Sequence, residues 1–302
     1  MEIKSGYVAI LGKPNAGKST LLNAFLGEKL SITTNKPQTT RKRITGILSE
    51  EDYQIIFLDT PGILKPDYLL QEKMLEYVVQ SIREADILLV MLDIASDPEG
   101  SKTLADEVVN KALANPRSKK ILVINKADLS NDKALDALFE KMEKLGQFDR
   151  IYPVSAMYRF NIDTLLKAIL EFLPVHPKYF PDDRLSDENE RFFVSEIIRE
   201  KILEHYQEEI PYSVEVVIED FKEREGRKDF IQASIIVERE SQKPIIIGKQ
   251  GNAIKELGQS SREAIEAFLQ RPVYLELRVK VKEKWRSDPR SLKSFGYSVD
   301  EE

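Results

Sequence analysis

The sequence predicts an α/β protein in two parts: a mostly parallel sheet with helices on both faces, then a smaller α+β unit. Three observations predict it. Short apolar runs alternate with helix-length stretches from Gly6 to about Leu173, the βαβ rhythm of a sheet covered on both sides. The segment LPVHPKYFPDDRLSD, 173–187, breaks that rhythm with three prolines and reads as a stiff connector. Beyond it the order becomes helix, strand, strand, helix, helix, strand. The expected division is residues 1–175, a linker at 176–187, and residues 188–302.

The apolar runs at 7–11, 44–48, 55–58, 87–93, 121–125 and 151–154 are short and bounded by polar turns, as strands are. Helical stretches fall between them at 69–83, 102–114, 134–145 and 162–172. Only SEEDY separates the second and third strands, too little for a crossover, so that pair is expected as an antiparallel edge hairpin. In the second part the expected elements are a helix at 188–205, strands at 213–221 and 230–238, a helix at 252–269 and a strand at 273–281. Its two middle strands are joined by KEREGRKD, a charged turn containing Gly226.

Composition excludes several classes. The chain has 302 residues, 42% hydrophobic and 32% charged, enough for two globular cores. It has no cysteine, which rules out disulfide frameworks and thiolate metal sites and fits a reducing cytoplasm. His176 and His205 are the only histidines, too few for a histidine metal cluster. The longest apolar run, 87–92, is too short to span a bilayer, and the N-terminal stretch does not read as a signal peptide. Net charge is −6, yet residues 243–293 hold 12 Lys and Arg against 6 Asp and Glu. That local excess of +6 reads as a nucleic-acid footprint or as a solvated helix face.

GKPNAGKS at 12–19 fits G-x-x-x-x-G-K-[ST] and lies between a strand and a helix, the context a phosphate loop requires. Gly12, Lys13, Pro14, Asn15, Ala16, Gly17, Lys18, Ser19 and Thr20 are therefore expected to bind the phosphates, with backbone N–H groups at the positive helix end. Lys18 would reach the β- and γ-phosphates and the Ser19 hydroxyl would ligate Mg2+. Asp59, at the end of the third strand, would hold the metal through water. Thr60, Pro61 and Gly62 follow it, and the Gly62 N–H would sense the γ-phosphate. Thr40, with Thr39 as the alternative, would be a second metal ligand, in place only with a triphosphate. Lys18, Thr40 and Gly62 are the expected catalytic groups.

Asn125-Lys126-Ala127-Asp128 directly follows an apolar strand. The Asp128 carboxylate can accept from guanine N1–H and the N2 amine, neither of which adenine offers; Asn125 can donate toward the base edge, and the Lys126 stem can cover the purine face. Ser155 and Ala156 would add a backbone N–H for guanine O6. In this order and spacing, GKPNAGKST, TTR, DTPG, NKAD and SA resemble the Ras-like GTPases over residues 5–175, and PNAGKST with QTTR and DTPG resembles their TrmE-Era branch. One departure is Ile63, where Ras-like enzymes place a water-orienting glutamine, so slow intrinsic hydrolysis is expected. In that branch an asparagine equivalent to Asn15 helps hold K+ beside the phosphates; the other reading of Asn15 is that it only shapes the loop.

PIIIGKQGNAIKELG at 244–258 places Gly248 and Gly251 in a corner before a helix. With the surrounding helix and strand order it resembles a KH domain of the second topology, whose GXXG turn clamps the backbone of about four single-stranded nucleotides. Ile247, Gly248, Lys249, Gln250, Gly251 and Lys255 are the expected RNA contacts, joined by Lys282, Lys284, Trp285 and Arg286 of the tail. Bases would lie against the apolar faces of 245–247 and 231–237; Trp285 would stack on a base or cover the last strand.

A Ras-like domain followed by a KH domain at this length resembles the Era family of bacterial GTPases of ribosome assembly. The resemblance implies a GTP/GDP switch that binds 16S ribosomal RNA near its 3′ end on the small ribosomal subunit, with Mg2+, and K+ through Asn15. It also implies a cytoplasmic monomer, with room for peripheral contact at the inner membrane. The alternative is a signalling GTPase whose C-terminal part docks a protein or a membrane surface. Asp128 disfavours an ATP-dependent enzyme.

Overall fold

The computed structural model describes residues 2–297. Residue 1 and residues 298–302, the outer ends of the two expected domains, lie outside the described residues. The chain forms two compact units. One comprises the residues up to Lys65 with Met74–Asp187; the other comprises Pro66–Lys73 with the residues from Glu188 on.

The first unit is built on β1 (Lys4–Gly12), β2 (Ile44–Ser49), β3 (Tyr53–Asp59), β4 (Ile87–Asp93), β5 (Lys119–Asn125) and β6 (Arg150–Pro153), in the order β2-β3-β1-β4-β5-β6. Every pairing is parallel except β2 with β3, the expected edge hairpin. Its helices are α1 (Lys18–Leu26), α2 (Leu69–Glu84, of which the part from Met74 on belongs to this unit), α3 (Ser101–Leu104), α4 (Glu107–Leu113), α5 (Asp132–Leu145) and α6 (Ile162–Phe172). Helices on both faces leave no wet side for β4, so ILLVML reads as an unbroken apolar run and all six residues are buried. The switch from strand to loop at the ends of β1, β3 and β5 brings the phosphate loop, Asp59 and Asn125 to one edge of the sheet.

The single helix expected over 102–114 is two. The Asp106 carboxylate accepts from the N–H groups of Val108 and Val109 and starts α4, while Asp97 accepts from the N–H groups of Lys102 and Thr103 and starts α3. Two carboxylates nine residues apart, each accepting from the first N–H groups of a helix, make two short helices. The expected linker is also different in kind. Ile47 N–H donates to Leu185 O (2.8 Å) and Ser186 Oγ to Thr45 O (2.6 Å), so 176–187 is a strap along the free edge of β2. Buried Gln54 fastens it, donating to Phe180 O (2.8 Å) and accepting from Tyr179 and Phe180 N–H (2.8 and 2.9 Å).

The second unit has α7 (Glu190–His205), β7 (Glu215–Lys222), β8 (Asp229–Val237), α8 (Lys243–Ile247), α9 (Asn252–Leu269), β9 (Val273–Val281) and α10 (Pro289–Ser294). Its sheet runs β7-β8-β9, with β7 antiparallel and β9 parallel to central β8. Ile231, Ala233, Ile235 and Val237 point from β8 to one core with Val194, Ile198 and Ile202 of α7 and Leu257 and Ile265 of α9. No helix among the described residues is long and apolar enough to cross a membrane.

Candidate active site and nucleic-acid interface

The loop between β1 and α1 is shaped by backbone geometry. Gly17 has φ +95°, and a Cβ there would lie 2.2 Å from Asn125 Nδ2, so only glycine fits. Gly62 has the same requirement for another reason: a Cβ would stand 2.7 Å from Pro14 Cα. Asn15 adopts a left-handed conformation (φ 62°) and its Nδ2 donates to Asn35 O at 2.9 Å, tying the phosphate loop to the segment before Thr40. Lys18 is buried, with Nζ donating to Gly12 O and Lys13 O (3.1 and 3.0 Å). Burial pushes its ammonium down to about 8, and the Asp59 carboxylate opposes that fall. A lysine and a helix N-terminus at one point make a site for a multiply charged anion.

Beside it lies a cluster of oxygens. Ser19 Oγ donates to Asp59 Oδ2 (2.6 Å) and stands 2.9 Å from Thr40 Oγ1. Asp59 is fully buried, and its Oδ1 has no hydrogen-bond partner. Burial pushes its carboxyl above the usual range, while the Ser19 bond, the Lys18 charge and the Ser31 and Thr40 bonds oppose that rise. Two hydroxyls and a buried carboxylate with a bare oxygen form a hard donor set that fits Mg2+. Ser31, whose hydroxyl donates to Asp59 Oδ2 at 3.0 Å, belongs to this cluster, and no motif in the sequence marks it. Thr60 points elsewhere: its Oγ1 donates to Ile10 O (2.7 Å), so its side chain shapes the loop. The Ile63 side chain is turned into the core, and its N–H donates to Gly12 O at 3.0 Å.

The far wall of the same cleft, about 620 Å³ in volume, carries Asn125, Lys126, Asp128, Ser155 and Ala156. Asp128 is exposed there. Asn125 is buried and engaged on both sides: Nδ2 donates to Ala16 O (2.7 Å) and Oδ1 accepts from Ala156 N–H (3.0 Å). Asn125 is expected at the base edge and a backbone N–H of Ser155-Ala156 at the base oxygen; in the structure the Ala156 N–H donates to Asn125 and the Ser155 N–H to Phe160 O. Asn125 is a clamp across three loops, because its short amide reaches both neighbouring loops at once. Lys126 is left-handed (φ 61°) and its Nζ lies 2.7 Å from Asp93 Oδ2, which holds its stem along the cleft. Leu129, Met157 and Tyr158 add an exposed apolar rim that sequence motifs do not signal.

In the second unit, α8 and α9 meet at a tight corner. Gly248 (φ 73°, ψ 175°), Gln250 (φ 53°) and Gly251 (φ 79°) take left-handed or glycine-only conformations. A Cβ on Gly248 would meet the Ala253 Cβ at 2.5 Å, whereas a Cβ on Gly251 would meet nothing and stand in open space. Lys249, Gln250 and Lys255 are exposed, Ile247 is half-buried, and Ile245 is exposed while Ile246 is core. Most of the face expected from 231–237 is buried. In the tail, Lys282 and Lys284 are exposed. Trp285 corrects the stacking expectation: it is 0% exposed and its Nε1 donates to Ser213 O (2.9 Å), so the indole fills the core and offers no face to a base. Arg286 is half-buried and its Nε donates to Glu238 Oε2 at 3.0 Å, so its charge is already compensated.

A phosphate loop with a hydroxyl–carboxylate metal set, and an exposed aspartate on the opposite wall, define a guanine-nucleotide-binding GTPase; the αββααβ unit with its glycine corner adds a KH domain. The 50S ribosome-binding GTPase family matches residues 7–126 and the KH domain family matches residues 209–286. The chain belongs to the Era family of GTPases. It is 49% identical to the chloroplastic GTPase ERA1 of Zea mays over 97% of this chain and 70% of that one. It is 45% identical to GTPase Era of Alkaliphilus metalliredigens over 98% and 100%. Among solved structures, Era in complex with MgGDPNP and nucleotides 1506–1542 of 16S ribosomal RNA superimposes with a TM-score of 0.92 at 41% identity, covering 98% of this chain and all of that one.

Proposed function

We propose that this GTPase is a switch that binds single-stranded RNA in the GTP state, near the 3′ end of 16S ribosomal RNA, and releases it after hydrolysis during small-subunit assembly. The observation that carries this reading is the full-length likeness to an Era structure holding both a GTP analogue with magnesium and that RNA segment. In the reading, Lys18 and the N–H groups from Asn15 to Thr20 hold the β- and γ-phosphates, and Asp128 reads the guanine edge. Ser19 and Thr40 hold Mg2+, with Asp59 behind a water. Bound there, the ion neutralises charge on the phosphate oxygens. The Gly62 N–H reports the γ-phosphate. Ile63 offers no group to orient water; separately, a K+ ion held through Asn15, whose amide is bonded to Asn35 O, would add positive charge beside the phosphates. The Gly248–Gly251 turn clamps the RNA backbone, with Lys249, Lys255, Lys282 and Lys284 facing phosphates. The protein works as a cytoplasmic monomer.

The test is fluorescence anisotropy of a labelled single-stranded RNA from the 16S 3′ end, with the GTP analogue GDPNP and then with GDP. Tighter binding with GDPNP is expected, and equal affinities end the switch reading. Gly251→Asp places a carboxylate where the RNA backbone approaches, so RNA affinity falls by about tenfold or more, with nucleotide affinity unchanged.

A further inference from the structure

Three hydroxyls donate to or crowd the Asp59 carboxylate, and they are mounted differently. Ser19 sits on α1 and is itself an expected metal ligand. Thr40 sits at the end of the segment expected to move after hydrolysis. Ser31 is neither. It is fully buried, and its Oγ donates to Asp59 Oδ2 at 3.0 Å. Asn23, on the same helix as Ser19, grips its backbone: Nδ2 donates to Ser31 O (2.8 Å), and Oδ1 accepts from the N–H groups of Leu30 and Ser31 (2.9 Å each). The Ser31 hydroxyl is therefore fixed to α1, not to the loop that follows it.

That mounting decides which way the carboxylate faces. Oδ2 takes the Ser19 and Ser31 protons, while Oδ1 is left bare and buried. A hydroxyl that ligates a cation through its lone pair still answers to the cation's position, and Thr40 is a ligand only in the triphosphate state. Ser31 has neither duty. We propose that Ser31, held by Asn23, is a positioning residue that keeps the Asp59 carboxylate oriented toward Mg2+ in both the GTP and GDP states. The proposal rests on the metal reading above. It predicts tight magnesium dependence of GDP retention, when Thr40 is out of the site.

The measurement is release of a fluorescent GDP analogue from the full chain across a Mg2+ titration, with no hydrolysis involved. Removing a partner of a metal-bound carboxylate weakens metal affinity, so in Ser31→Ala the Mg2+ concentration for half-maximal slowing rises about tenfold. Release in EDTA stays at the wild-type rate, because the nucleotide contacts are intact. Ser31→Cys, of similar size but with a weak S–H donor, falls between the two. An unchanged half-effect concentration in Ser31→Ala overturns the proposal. So does an equal acceleration with and without Mg2+, which makes Ser31 a mere packing residue. Wild-type release that ignores Mg2+ removes the metal reading as well, and with it the proposal.

Discussion

Lys18 carries a charge into a place that excludes water, and burial lowers its ammonium to about 8 from an ordinary 10.5. Between those values the unfolded chain binds a proton that the folded, nucleotide-free protein has lost, so stability from this group rises with pH across that window. The gain reaches about 3 kcal/mol at most. Urea unfolding of the nucleotide-free protein at pH 8 and pH 10 should show it, and Lys18→Met should abolish the difference. Nucleotide affinity runs the other way, falling as pH rises through 8, because a neutral amine no longer attracts phosphate. Lys18, Ser19 and Asp59 are legible in the sequence because phosphate chemistry demands those types at that spacing. Ser31 and the clamp role of Asn125 are not, since each depends on which loop its side chain reaches across the sheet edge.

Among elements, the strap at 176–187 departs furthest from its expected role. Its prolines mark a stiff segment but carry no information on what the segment lies against. Gln54 decides that, with one buried amide making three bonds to it. At about 1 kcal/mol per bond, Gln54→Ala should destabilise the first unit by roughly 2–3 kcal/mol and expose 176–187 to limited proteolysis. The break between α3 and α4 has a similar origin, because Asp106 and Asp97 cap two helices where apolar spacing alone reads as one. Trp285 belongs here too: of its two readings, base platform or core residue, full burial and the bond to Ser213 O select the core.

At the scale of the whole molecule, an acidic protein of net charge −6 presents its basic excess in one stretch. With Trp285 buried and Arg286 paired to Glu238, the exposed cations among the expected RNA contacts are Lys249, Lys255, Lys282 and Lys284. Neutralising about three or four phosphates of a single strand gives a slope of log K against log salt of roughly −2 to −3. A KCl titration of RNA affinity checks it; a slope near zero removes the electrostatic footing of these lysines. The sequence by itself determined the two-part α/β architecture, strand order apart, and named the candidate phosphate, metal and base-reading residues. Periodicity and motif spacing are local properties, set by sterics and by the ligand's own chemistry. Only the tertiary structure decided that Ser31 stands against Asp59, that Asn125 clamps three loops, that a proline-rich connector seals a strand edge and that the single tryptophan is core. Those outcomes depend on contacts between residues distant in the chain, and a buried hydrogen bond is settled by what else is buried beside it.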